Sequence, residues 1–273
     1  MKIDKLKKTY KEQSIRTLIL VLLVGFFPGK SLAQFNANGV VAHRSAWKKM
    51  NIPQNSIEGL VRAVDLGCYA AEIDIHLTKD NIPVVNHDHD LHGIPIETTD
   101  YKDLLNYKLA NGEKMPTLEE YIIKLMEYPK VQLWVDIKNS KISKDRTIKI
   151  AEYAAKVVGK LQAEQRIEFI GPNFDALVKV LQVLPRARVL YIGSDKEPKV
   201  LKELGFLGVD LGYKRFASGE YSVYEAQKVG LLVGSYTVDD RDEMKKQLSE
   251  GVDFITTNEP ELLFEVLEAQ KRK

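Results

Sequence analysis

The sequence predicts an α/β protein of the (β/α)8 TIM-barrel class, on three observations. Short apolar runs alternate with amphipathic ones from Asn36 to the end. Counting each strand with its following helix gives about eight units. The segment that carries them is about 240 residues long, the size of one such barrel. An open doubly wound sheet is the other architecture that fits the alternation. No Gly-rich phosphate loop follows a strand, which counts against a nucleotide fold.

The elements follow in order. Gly39-Val40-Val41-Ala42-His43 reads as a buried strand, and Ser56 to Leu66 has Ile57, Leu60, Val61 and Val64 at helical spacing. Gly67 closes that helix. From Tyr69 to Leu77, Glu72, Asp74 and His76 alternate with Ala71, Ile73 and Ile75, as in a strand. Pro83 to Asn86 is a short strand, and Asp90 to Met115 an irregular excursion with one short helix near Tyr101–Leu105. Thr117 and Glu120 form a capping box that opens the next helix. Strands are expected at Val131–Ile137, Ile167–Ile170, Arg188–Ile192, Gly208–Leu211, Leu232–Tyr236 and Asp253–Thr256. Helices are expected at Thr147–Val158, Phe174–Leu184, Pro198–Leu204, Ser222–Val229, Arg241–Ser249 and Pro260–Ala269.

The 273 residues are 44% hydrophobic and 29% charged, which excludes wholesale disorder. One cysteine, Cys68, excludes a disulfide scaffold. The formal charge of +2 is misleading. Residues 1–34 hold seven Lys/Arg and two acids; taking these from totals of 40 and 38 leaves 33 basic and 36 acidic residues. A body of net charge −3 is a poor nucleic-acid partner. The basic excess sits in a Lys-rich start, followed by an apolar run from Leu18 to Phe27 and then Ser31-Leu32-Ala33. That order is expected of a cleaved secretory signal over 1–33, so the chain is expected to be exported, to a periplasm or the outside. The apolar run is too short to span a bilayer, so no stable transmembrane span is expected after cleavage.

Barrel strands are covered on both faces, so polar residues within them are informative. Glu72 and Asp74, two apart, point the same way. Their mutual repulsion is relieved economically by a divalent cation, and hard oxygen ligands suit Mg²⁺ or Ca²⁺. Asp136, inside Val131–Ile137, is placed to complete such a site, with Lys138 on the same face. Acids at strand ends also occur without a metal, and the spacing leaves both readings open. All five histidines lie between residues 43 and 92. His43 and His87 end apolar runs, where barrel chemistry is found, and an imidazole there can exchange protons near neutral pH. Arg44 and Lys138 suit a phosphate. Together these groups describe metal-assisted phosphoryl transfer. Sugar hydrolysis by a carboxylate pair is the rival, although Glu72 and Asp74 are too close together to flank a sugar and a water.

The ordered motifs Val41-Ala42-His43-Arg44, Pro53-Gln54-Asn55-Ser56, Ala71 to Asp80 beginning Ala-Glu-Ile-Asp, and Pro83-Val84-Val85-Asn86-His87-Asp88 resemble the glycerophosphodiester phosphodiesterase family. Met115-Pro116-Thr117-Leu118-Glu119-Glu120, Asp136-Ile137-Lys138, Tyr236-Thr237-Val238-Asp239 and Gly251 to Pro260 extend the resemblance, and the domain is expected to span 37–271. It implies one divalent cation, Mg²⁺ or Ca²⁺, ligated by Glu72, Asp74 and Asp136. It implies His43 and His87 as an acid–base pair, with Arg44 and Lys138 around the phosphate and Asn55 beside His43 and the metal site. It also implies a small-molecule glycerophosphodiester substrate, hydrolysed to glycerol 3-phosphate and an alcohol.

The sequence departs from that family at three places. Asp136 stands where Glu is usual, Tyr236 where Trp is usual in the wall against the substrate, and Asn258 where Asp is common. The segment from His87 to Met115 is short for the family, which implies a more open site. Two other functions remain expectations: a related barrel phosphodiesterase acting on intact phospholipids, and a non-catalytic phosphate-ligand binding module. An exposed apolar rim near Trp47, Ile94 and Tyr107 would mark the phospholipid enzyme.

Overall fold

A computed structural model describes residues 35–219 and 221–272. The chain begins with β1 (Val40–Ala42), α1 (Ile57–Leu66), β2 (Ala70–Leu77), β3 (Pro83–Val85), β4 (Asp90–Leu91), β5 (Ile94–Pro95), α2 (Tyr101–Leu104) and α3 (Leu118–Leu125). Next come β6 (Gln132–Ile137), α4 (Lys144–Lys160), β7 (Ile167–Gly171), α5 (Phe174–Val183), β8 (Arg188–Tyr191), α6 (Pro198–Glu203), β9 (Gly208–Gly212) and α7 (Lys214–Ala217). It ends with α8 (Val223–Lys228), β10 (Leu232–Tyr236), α9 (Arg241–Ser249), β11 (Phe254–Thr257) and α10 (Pro260–Lys271).

The parallel strands β1, β2 and β6 to β11 close on themselves. Val41 of β1 lies opposite Ala70 of β2, while Val40 lies opposite Ile255 of β11. That closure makes the fold a (β/α)8 barrel and disposes of the open sheet. β3 runs back along the upper part of β2, with Val85 opposite Ile75.

Strand alternation decides what faces where. Ala71, Ile73, Ile75 and Leu77 of β2, and Leu133, Val135 and Ile137 of β6, pack outward into the layer between barrel and helices. Ala70, Glu72 and Asp74, and Trp134 and Asp136, take the opposite, inward face. Inside the barrel Tyr69 stacks on Phe254 at 4.8 Å between ring centres, and Trp134 meets Phe254 edge-on at 5.3 Å. This aromatic group, joined by Val41, Ala70, Ile170 and Leu190, plugs the barrel below the polar residues.

The helices begin where the sequence provides caps. Ser56 accepts from the Gly59 N–H, Thr117 and Glu120 make both bonds of the capping box, and Gly67 ends α1 with φ +75°. Three details differ from expectation. Helix α4 starts one turn early, because Ser143 caps it. The stretch 90–95 is a hairpin, turned by His92 and Gly93 at φ +53° and +83°. Helix α7 was not expected, since four residues carry no periodicity. The hairpin and α2 pack over their own small core of Val84, Leu91, Ile96, Leu104 and Met115.

The expected targeting segment, 1–33, lies outside the described residues. Among the described residues no helix is long and apolar enough to cross a membrane.

Candidate active site

Strand β1 ends in a strained loop. Arg44, Ser45 and Asn55 all take the left-handed backbone region, at φ +51°, +69° and +61°. The geometry turns backbone and side-chain donors onto the acids of β2. Arg44 N–H donates to Glu72 Oε2 at 2.7 Å, and Ser45 N–H to the Glu72 carbonyl at 2.9 Å. Asn55 is buried, and both ends of its amide are committed to Asp74. Nδ2 donates to Oδ2 at 2.9 Å, and Oδ1 accepts from the Asp74 N–H at 3.1 Å. Asn55 thus holds a carboxylate in place.

Glu72, Asp74 and Asp136 converge: they offer carboxylate oxygens all within 4.8 Å of one another, and all three side chains are buried. Asp74 and Asp136 are register partners on neighbouring strands, which is why they meet. The Lys138 ammonium lies against two of the acids, 2.5 Å from Asp74 Oδ1 and 2.6 Å from Asp136 Oδ2. Asp136 Oδ1 is buried without a hydrogen-bond partner among the described residues. Three buried carboxylates with an unsatisfied oxygen and one cation in close contact form a donor set suited to a hard divalent ion.

The electrostatics agree. Burial, then the Asp74 and Asp136 charges, push Glu72 well above the usual carboxylate value. Burial also raises Asp74, but Lys138 and Asn55 outweigh it and hold the group below its ordinary value. Asp136 is pushed up to about 6 by burial, against the pull of Lys138.

His43 sits at the mouth of β1, with Nδ1 2.8 Å from Asn258 Oδ1. Asn258 Nδ2 donates to Asp239 Oδ2 at 2.8 Å, and its backbone N–H to Asp239 Oδ1 at 2.8 Å. Trp47 Nε1–H also donates to Asn258 Oδ1, at 3.2 Å. A carboxylate only accepts and an indole only donates, so the Asn258 amide has one allowed orientation. His43 Nδ1 therefore carries the hydrogen, and Nε2 keeps its lone pair. Burial lowers the His43 pKa, opposed by the bond to Asn258. His87 Nδ1 is 2.8 Å from Asp88 Oδ1, and the His87 carbonyl accepts from His76 Nε2 at 3.1 Å.

These groups open on one cavity of about 350 Å³. His43, Arg44, Glu72, His87, Asp136 and Lys138 line one side of it. Ile170, Pro172, Ile192, Tyr236 and Asp210 are on the lining too. Asp74 and Asn55 lie behind the wall, buried. Arg44 is tied by Nη1 to Gln54 Oε1 at 2.8 Å, with its Nε 3.8 Å from Asp74 Oδ2.

Several residues of this site take roles that no local pattern signals. Asp239, though part of a family motif, and Trp47 fix Asn258 from loops with no periodic signal. His76 was visible as a polar residue on β2, but nothing local linked it to His87. Asp210 had the same signal as Asp136, an acid inside an apolar run. Burial, and next the Asp136 charge, hold it well above its ordinary value.

The comparisons with known proteins point one way. Residues 43–262 match the model of the glycerophosphoryl diester phosphodiesterase family. A crystal structure of a glycerophosphodiester phosphodiesterase from Parabacteroides distasonis is 35% identical and superposes with a TM-score of 0.81, over 87% of this chain and 99% of that one. A glycerophosphodiester phosphodiesterase of Caldanaerobacter subterraneus subsp. tengcongensis is 28% identical over 243 residues, covering 84% of this chain and 97% of that protein. An Oleispira antarctica phosphodiesterase in complex with the product sn-glycerol-3-phosphate shares the fold, with a TM-score of 0.69 at 22% identity over 84% of this chain and 96% of that one. On the match over most of its length, this chain belongs to the glycerophosphoryl diester phosphodiesterase family.

Proposed function

We propose that the protein hydrolyses small glycerophosphodiesters to glycerol 3-phosphate and an alcohol, with one divalent cation held by Glu72, Asp74 and Asp136. The observation that carries this reading is the cluster of three acids, two of which line one cavity above the plugged barrel together with two imidazoles and two basic side chains. The relatives named glycerophosphodiester phosphodiesterase, and the neighbour holding sn-glycerol-3-phosphate, support the substrate class.

The cation would neutralise phosphate charge and ease loss of the proton from a nearby hydroxyl. Arg44 supplies a fixed positive charge for the phosphate. His43, unprotonated through burial and with its Nε2 lone pair free, takes the proton of the glycerol 2-hydroxyl as that oxygen attacks phosphorus. His87, held by Asp88 at Nδ1, gives its Nε2 proton to the departing alcohol. Water then opens the cyclic phosphate, with the two histidines exchanging roles. Lys138 sits between Asp74 and Asp136, where it balances their charge and stays in reach of the cavity.

The intact-phospholipid alternative called for an exposed apolar rim. Trp47, Ile94 and Tyr107 are only half-exposed, and Ile94 and Tyr107 pack onto the small core beneath the hairpin. The basic, apolar and small-residue order of residues 1–33 supports export ahead of this activity.

The test is release of glycerol 3-phosphate from glycerophosphocholine and glycerophosphoethanolamine by the purified protein. Turnover should vanish with EDTA and return with Mg²⁺ or Ca²⁺, whichever is the native ion. Turnover that survives chelation overturns the assignment of the three acids. Cleavage of phospholipid vesicles in its place would favour the alternative.

A further inference from the structure

The chemistry above uses one side of the cavity and leaves Asp210 without a role. Asp210 stands on the inward face of β9 and lines the cavity, yet it is only 1% exposed. Its Oδ1 is buried without a hydrogen-bond partner among the described residues. Native proteins rarely leave a buried polar atom unsatisfied, and at the wall of a cavity an entering ligand can supply the missing bond.

The neighbouring strand is cut to fit this carboxyl. Gly234 of β10 is the register partner of Asp210. A Cβ at Gly234 would lie 2.5 Å from Asp210 Oδ1, closer than two such atoms can approach. The glycine therefore gives the acid its place. Ile170 and Ile192, also on the lining, carry no hydrogen-bonding side chain; Tyr236 and Thr256 bring hydroxyls, and Asp210 is the lining carboxyl that the metal-binding set leaves unused.

We propose that Asp210 is a further substrate-binding residue, whose carboxyl takes a hydroxyl of the glycerol moiety, so that the site selects glycerol phosphodiesters over those of less hydroxylated alcohols. This rests on the proposed reaction and deepens it. With the phosphate at Arg44, the leaving alcohol must depart towards solvent. The small, constant end of the substrate is then the part that reaches a group as deep as Asp210. Burial, and next the Asp136 charge, favour the neutral form of the carboxyl, which both donates and accepts, as a hydroxyl does.

The experiment compares kcat/KM for glycerophosphocholine and for the phosphocholine diester of 1,2-propanediol. The second substrate keeps the attacking 2-hydroxyl and lacks the terminal one. The wild type should favour glycerophosphocholine by at least about 10-fold, since a site built to bond a hydroxyl rejects the analogue lacking it. Asp210→Leu should lose about 10- to 100-fold on glycerophosphocholine and leave the propanediol diester within about 3-fold. Asp210→Asn should retain part of the preference, and Gly234→Ala should reduce it by crowding the carboxyl. Equal losses on both diesters in these variants, or no loss on either, overturn the proposal and leave the phosphodiesterase reading intact. A wild type that cleaves neither substrate overturns both.

Discussion

His43 Nδ1 donates to Asn258 Oδ1 at 2.8 Å, and this bond fixes which imidazole nitrogen faces the chemistry. Asn258 can offer only its oxygen, because Asp239 takes its Nδ2–H. The relay spans 215 residues of sequence, from the end of β1 to the residue after β11.

Replacing Asn258 by Leu should therefore lower kcat by about 10- to 100-fold, a part of what a positioned acid–base group contributes. The sign of the pH effect follows from the opposing influences on His43. Burial lowers its pKa and the Asn258 bond raises it, so losing the bond moves the acid limb of the kcat/KM profile to lower pH. A profile unchanged in both height and position would show that His43 is oriented by something else.

Lys138 is the cation in closest contact with the acids, 2.5 Å from Asp74 and 2.6 Å from Asp136, with Arg44 Nε farther off at 3.8 Å from Asp74. Lys138→Met should destabilise the EDTA-treated protein by about 3–5 kcal/mol, the usual cost of breaking a buried ion pair. Added Mg²⁺ or Ca²⁺ should restore more of the melting temperature in the variant than it adds to the wild type. The comparison needs only thermal melts with chelator and with each ion. Equal shifts in the two proteins would mean that Lys138 and the ion do not balance the same charges.

His76 makes a different pH prediction. Burial takes its pKa from 6.5 down to about 4. In that window the unfolded chain binds the proton and the folded one does not, so stability is intact above pH 6.5 and is lost as pH falls towards 4. The full loss is about 3 kcal/mol. His76→Gln should flatten the stability curve over this range, measured by urea unfolding at stepped pH. All other titrating groups remain in both proteins, so parallel curves would refute the assignment. The same variant should also cost turnover at pH 7.5, because the bond from His76 to the His87 carbonyl supports the loop that carries His87.

Trp134 is fully buried in the plug below the site, edge-on to Phe254. Trp134→Ala should cost about 3–5 kcal/mol in urea unfolding. The cavity it opens lies inside the barrel, under Asp136, so substrate affinity should weaken along with stability. A loss under 1 kcal/mol would mean that the plug collapses to fill the space.

Much of this protein follows from sequence. Alternation with a period of two placed Glu72 with Asp74, and Asp136 with Lys138, on shared faces. Apolar runs with caps at Ser56 and Thr117 marked where strands give way to helices. These features depend on near neighbours in the chain, and local geometry imposes them wherever the chain goes. Tertiary structure decided the rest. Asp74 and Asp136 meet because β2 and β6 are adjacent in register, a pairing that no local pattern encodes. Asn258 reaches His43 only because β11 closes against β1. Asp210 and Gly234 are an acid and a glycine like any others until parallel pairing sets one beside the other. Periodicity tells a side chain which face to take; only barrel closure, with its fixed register, settles which side chains share that face.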